Sequence, residues 1–240
     1  MWETIALACV ADAATIAGIL LVKAWRRQAL GYSHAINSLA AGLILAASLT
    51  ALLPVAAKTL GEQAGFYMLG GFMMFLLLET FLVTHAGAEM HRDARTARGM
   101  VFFWGLFMHS FLDGISIAVG FAAGTHIGYL IALAVIGHKL PEGITTFSLL
   151  LQKLKYRTAL GLSVLVAFAT PAGALLGVAL RPVLPPDALA YLTAIVAGDF
   201  MYVAATDIVP EIREERPARN IAFLALGMAA LIALHQFMPE

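Results

Sequence analysis

The chain has 240 residues, of which 61% are hydrophobic and only 12% charged, with a formal net charge of zero. A soluble domain carries about 45–50% apolar and about 25% charged residues, so a water-soluble enzyme or nucleic-acid-binding globule is excluded, and the absent positive charge argues separately against a nucleic-acid partner. The remaining class is a polytopic membrane protein, an all-α bundle forming one transmembrane domain over 1–240.

A membrane-spanning helix needs about 20 mostly apolar residues. Eight such stretches are expected, at 4–22, 34–56, 64–84, 100–122, 127–150, 158–180, 188–209 and 220–238. They should be helices, because a helix satisfies its own backbone hydrogen bonds in lipid. No basic region precedes the first stretch, so a cleavable leader is not expected. The lone Cys9 excludes an internal disulfide or a thiolate cluster.

Basic residues sort the loops. Lys23, Arg26 and Arg27 follow the first span; Arg92, Arg95 and Arg98 follow the third. Lys153, Lys155 and Arg157 follow the fifth; Arg213, Arg216 and Arg219 follow the seventh. The opposite loops hold only Lys58 and Arg181. The positive-inside rule therefore puts the odd-numbered loops in the cytoplasm and both termini outside.

Two pairs of spans share patterns. Ala41-Gly42 and Ala197-Gly198 are each followed, twelve residues after the glycine, by a proline (Pro54 and Pro210). His109, Asp113 and Gly114 in span four match His138, Glu142 and Gly143 in span five. Each pair runs in opposite directions through the membrane, so a 3+2+3 inverted repeat is expected, the arrangement of transporters with a midplane site.

His109/Asp113 and His138/Glu142 are each four residues apart and share a helix face. Ionisable groups at mid-span are expensive and usually functional. Two imidazoles and two carboxylates form a ligand set for a borderline dication such as Zn²⁺, and the two negative charges offset it in lipid. Pro141 leaves the Gly137 carbonyl without its helical partner. Other intramembrane acids, Asp12, Glu79 and Asp199, are expected either to line a water-filled path or to pair with a polar neighbour.

HSFLDG in span four and HKLPEG in span five resemble the paired signatures of the ZIP (zinc- and iron-regulated transporter-like) family, and GFMMFLLLE and AGDFMYVAATDIVPE extend the likeness over nearly the whole chain. The resemblance implies a bacterial inner-membrane transporter taking divalent metal toward the cytoplasm, working as a homodimer with an elevator-like movement. It implies His109, Asp113, His138 and Glu142 as ligands. Ser110 stands where relatives often have Asn, Lys139 where many have a bridging acid, and Thr170 where many bacterial members have Glu. With an ammonium in place of a second cation, a mononuclear site is expected. The resemblance also implies an exit-path role for Asp207, with Glu211 beside it either on that path or at a solvated helix end, and the lipid bilayer and the metal ion (Zn²⁺, or Fe²⁺, Mn²⁺, Co²⁺ or Cd²⁺) as partners with no catalytic cofactor. The alternative from another class is a membrane-embedded metal-dependent hydrolase using the same cluster to activate water.

Overall fold

The computed structural model describes residues 1–88, 94–205 and 217–237. Its elements are α1 (Trp2–Ala46), a π-helical segment (Ala47–Leu52), α2 (Leu53–Leu60), α3 (Gln63–Ala88), α4 (Ala94–Ala123), α5 (Thr125–Lys153), α6 (Tyr156–Leu180), α7 (Pro186–Val203) and α8 (Pro217–Phe237). Among the described residues six helical runs are long and apolar enough to cross a membrane, and α3 carries a shorter apolar run, Gln63–Leu78.

The first expected loop is helical: α1 runs through Lys23, Arg26 and Arg27. Its two legs, Trp2–Ala24 and the run from His34, are nevertheless not collinear. A Cβ on Gly143 would lie 2.1 Å from the Thr15 carbonyl oxygen, while one on Gly137 would lie 2.5 Å from a Leu43 methyl. Gly137 and Gly143 are about 9 Å apart along α5, whereas Thr15 and Leu43 on one straight helix would be about 42 Å apart. The chain therefore turns back between the legs, giving two spans.

Among the described residues four helix pairs are locked by reciprocal glycines. Gly18 of the first leg and Gly143 of α5 each abut the other helix's backbone, as do Gly42 of the second leg and Gly227 of α8, Gly71 of α3 and Gly198 of α7, and Gly114 of α4 and Gly173 of α6. Small residues let helix backbones approach closely where lipid supplies no hydrophobic drive. The inverted repeat exchanges spans one and six, two and seven, three and eight, and four and five. It therefore carries the first-leg/α5 pair onto α6/α4, and the second-leg/α8 pair onto α7/α3. Thr15-Ile-Ala-Gly18 and Thr170-Pro-Ala-Gly173 repeat one T-x-A-G pattern. The π-helical turn between Gly42 and Pro54 has a counterpart at Ala204 and Ala205, between Gly198 and Pro210.

The first leg, α4, α5 and α6 share a core built on Ile19, Phe103, Ile144, Phe147 and Val166. The ends of the bundle are defined by contacts. Glu3 meets Tyr129, and His126 meets His235, so the start of α1, the start of α5 and the end of α8 share one end. Gly99 meets Lys153 and Leu154 at the other.

These close approaches carry a prediction. A methyl on Gly114 would lie 2.0 Å from the Thr170 carbonyl oxygen, so Gly114→Ala must push α4 off α6. The expected destabilisation is about 1–3 kcal/mol, read as a lower melting temperature of the detergent-purified protein. Gly105→Ala and Gly161→Ala, which add a methyl into open space, are expected to melt as the parent does.

Candidate metal-transport site

The site lies halfway along two adjacent helices. His109 is the sixteenth residue of the thirty-residue α4, and His138 the fourteenth of the twenty-nine-residue α5. α5 continues through Pro141, so the lost hydrogen bond at Gly137 does not break the helix. Four-residue spacing aims His109 with Asp113 and His138 with Glu142 into the same space between the helices.

One ligand atom from each of His109, Asp113, His138 and Glu142 falls within 4.8 Å of the others. Asp113 Oδ2 lies 3.4 Å from His109 Nε2 and 3.1 Å from His138 Nε2; Glu142 Oε2 lies 3.7 and 3.9 Å from the same two nitrogens. Ligands at about 2.0–2.1 Å around a tetrahedral Zn²⁺ are about 3.3 Å apart, so the four carboxylate–imidazole separations lie near that spacing and the set must draw together around an ion. His138 Nδ1 lies 2.9 Å from the Ala134 carbonyl oxygen. A carbonyl only accepts, so Nδ1 is the donor and Nε2 is the nitrogen presented to the site. Nε2 then faces the Asp113 oxygen, and those two atoms need a proton or a metal cation between them.

Burial grades the four. Asp113 is fully buried and His138 and Glu142 nearly so, while the His109 side chain is 20% exposed. His109 is thus the least enclosed member of the set.

Lys139 occupies the centre of the charge arrangement. It is 0% exposed, and its Nζ lies 2.7 Å from Asp113 Oδ2, 2.6 Å from Glu142 Oε2 and 3.0 Å from Ser110 Oγ. Those are the same two carboxylate oxygens that face the histidines. Lys139 is therefore a buried, paired ammonium rather than a lysine reaching for the interface. Ser110 donates in turn to Glu142 Oε1. Thr170 is buried beside Gly114, and its Oγ1 has no hydrogen-bond partner among the described residues.

Residues the spacing did not single out also appear. Asp12 is buried on the first leg, within electrostatic reach of Lys139. Its signal was an acid inside an apolar span. Asp199 is buried on α7. Thr50 hydrogen bonds to the Ala46 carbonyl within its own helix. Asp207 and Glu211 lie outside the described residues.

A helical membrane bundle with a dication-shaped donor set at its middle is a membrane protein with a candidate metal site. A family model described as ZIP Zinc transporter matches residues 84–235. An uncharacterized protein of Methanocaldococcus jannaschii is 27% identical over 220 residues, 88% of this chain and 89% of its own length. Zinc transporter ZIP4 of Homo sapiens is 35% identical over 142 residues, 55% of this chain and 22% of its own length. Zinc transporter ZIP13 of Pongo abelii is 24% identical over 186 residues, 73% of this chain and 53% of its own. The chain belongs to the ZIP zinc transporter family, whose members move divalent metal ions across membranes. It spans about a fifth to about half the length of the named zinc transporters it matches. The hydrolase alternative finds no support in this membership.

Proposed function

We propose that this protein carries Zn²⁺, or a similar divalent ion, toward the cytoplasm through a mononuclear midplane site between α4 and α5. The observation that carries this reading is the convergence of His109, Asp113, His138 and Glu142 on one space. Lys139, with Ser110 and the neutral Thr170 beside it, supports a single cation, because it sets a positive charge beside the ligand set at the position where a bridging acid would serve a second ion. Family likeness extends the proposal to a homodimer in the inner membrane, with Asp207 and Glu211 on the exit path. The basic loops support the direction: Lys153 and Lys155 lie at the end of the bundle opposite the start of α1.

Purified protein in liposomes tests this. Zn²⁺ uptake into the vesicles is expected to saturate with concentration, and Cd²⁺ or Co²⁺ to compete. Uptake no faster than protein-free liposomes would overturn the proposal, and turnover of an ester or peptide without flux would restore the hydrolase.

A further inference from the structure

A dication entering the four-ligand set meets an ammonium already bound to two of its ligand atoms. Lys139 Nζ is within 2.7 Å of both Asp113 Oδ2 and Glu142 Oε2. Two carboxylates cannot neutralise a dication and an ammonium together, and a net charge left in a buried site is expensive. Either the ammonium finds another anion, or the metal binds weakly.

A third carboxylate is at hand. Asp12 is 9% exposed, and its Oδ1 has no hydrogen-bond partner among the described residues. The first leg of α1 runs parallel to α5, with Glu3 against Tyr129 near one end and Gly18 crossing Gly143 further along. That register sets Asp12, one turn before Thr15 on the same face, at the level of Lys139. The ammonium lies within its electrostatic reach.

The inverted repeat supplies an independent comparison. Matching Gly143 with Gly114 matches Lys139 with Ser110; matching Gly18 with Gly173 matches Asp12 with Ala167. The first-leg/α5 pair therefore carries an acid and a base where the α6/α4 pair carries two uncharged residues. Both departures from the repeat fall on the same helix pair, and they have opposite charge.

We infer that Asp12 is the second seat of the Lys139 ammonium: when the dication binds His109, Asp113, His138 and Glu142, the lysine leaves the two carboxylates and pairs with Asp12. The inference rests on that four-residue ligand set. With it, the loaded site holds three carboxylates, one ammonium and one dication, and its charge is zero. Asp12 is a positioning residue, touching the lysine rather than the metal, and it favours dications over monovalent ions because only a dication completes the neutral set.

Equilibrium binding of Cd²⁺ to the purified full chain tests this in a double-mutant cycle. Asp12→Ala and the isosteric Asp12→Asn are expected to weaken binding by about tenfold or more, and Asp12→Glu to keep it within about threefold of the parent. Converting the pair to its counterpart in the other half, Asp12→Ala with Lys139→Ser, is expected to restore binding, because both the stranded ammonium and its seat are gone. A residue needed only for packing would give a double variant at least as weak as Asp12→Ala. Unchanged binding in Asp12→Asn, or no recovery in the double variant, overturns the inference. Should the Asp12 variants fail to fold, a metal-loaded structure of the parent decides, by Nζ beside Asp12 or still between Asp113 and Glu142. Parent-like binding in Glu142→Ala would show instead that the ligand assignment itself has failed.

Discussion

Replacing His138 or Glu142 by alanine is expected to weaken Zn²⁺ binding by at least about 100-fold and to abolish saturable uptake. Removing a residue that only supports a ligand typically costs 10–100-fold in metal affinity, and these two changes remove ligand atoms themselves. They differ in side effects. His138→Ala deletes Nε2 and the side-chain bond to the Ala134 carbonyl, which keeps its backbone partner in the helix, and leaves the carboxylate–lysine cluster whole. Glu142→Ala also strips one of two anionic partners from a fully buried Lys139, leaving Asp113 Oδ2 at 2.7 Å to hold the ammonium, so it costs stability as well as a ligand. The comparison is therefore made on protein shown to be monodisperse, with bound metal counted per chain. His109→Ala is expected to be the milder of the two imidazole losses, because His109 is the least enclosed of the four ligands and stands farther from Asp113 than His138 does. Parent-like occupancy and uptake in both His138→Ala and Glu142→Ala would remove the site from the mechanism.

Local spacing makes half of this site readable from sequence. His109/Asp113 and His138/Glu142 announce themselves because a four-residue interval in an apolar run can only stack the two side chains on one helix face. The seat of Lys139 is readable as a charge at a family position, and Glu142 lies three residues on along the same helix, but its other two partners are not readable, since Ser110 and Asp113 come from the other helix. Asp12 is visible as an acid in an apolar span and cannot be attached to anything, because its level against α5 is set by Gly18 and Gly143, more than a hundred residues apart. The spans follow from hydropathy; 127–150 agrees with Thr125–Lys153 to within a few residues, 100–122 sits inside the longer Ala94–Ala123, and the end of 188–209 lies outside the described residues. Where the first loop is expected, the backbone is helical instead: hydropathy detects lipid-compatible length and says nothing of whether polar residues between two spans stay coiled. The T-x-A-G recurrence at Thr15 and Thr170 is present in the sequence. Ala, Gly and Leu are so frequent in these spans that the match gains meaning only when both glycines prove to sit at helix crossings.

Lys139→Asp is expected to turn a one-ion site into a two-ion site. The substitution removes the ammonium from between Asp113 Oδ2 and Glu142 Oε2 and puts a carboxylate on the same helix position. Without metal, the variant brings like charges together in a buried space, which disfavours ionisation of each and loosens the fold. Two cations relieve this: the introduced carboxylate with Asp12, Asp113 and Glu142 supplies four negative charges for two dications, and the hydroxyl oxygens of Ser110 and Thr170 are neutral donors already buried nearby. In carboxylate-bridged pairs the ions sit about 3.5–4 Å apart. Anomalous scattering from Cd²⁺-soaked crystals is therefore expected to show one central peak in the parent and two in Lys139→Asp. Saturating Cd²⁺ should also raise the variant's melting temperature by more than it raises the parent's, because binding to the folded state alone adds stability for each ion held. A single fully occupied peak in the variant, with the same thermal gain as the parent, would mean that the ammonium is not what limits the site to one ion. Two peaks in the parent would mean that Lys139 never excluded the second.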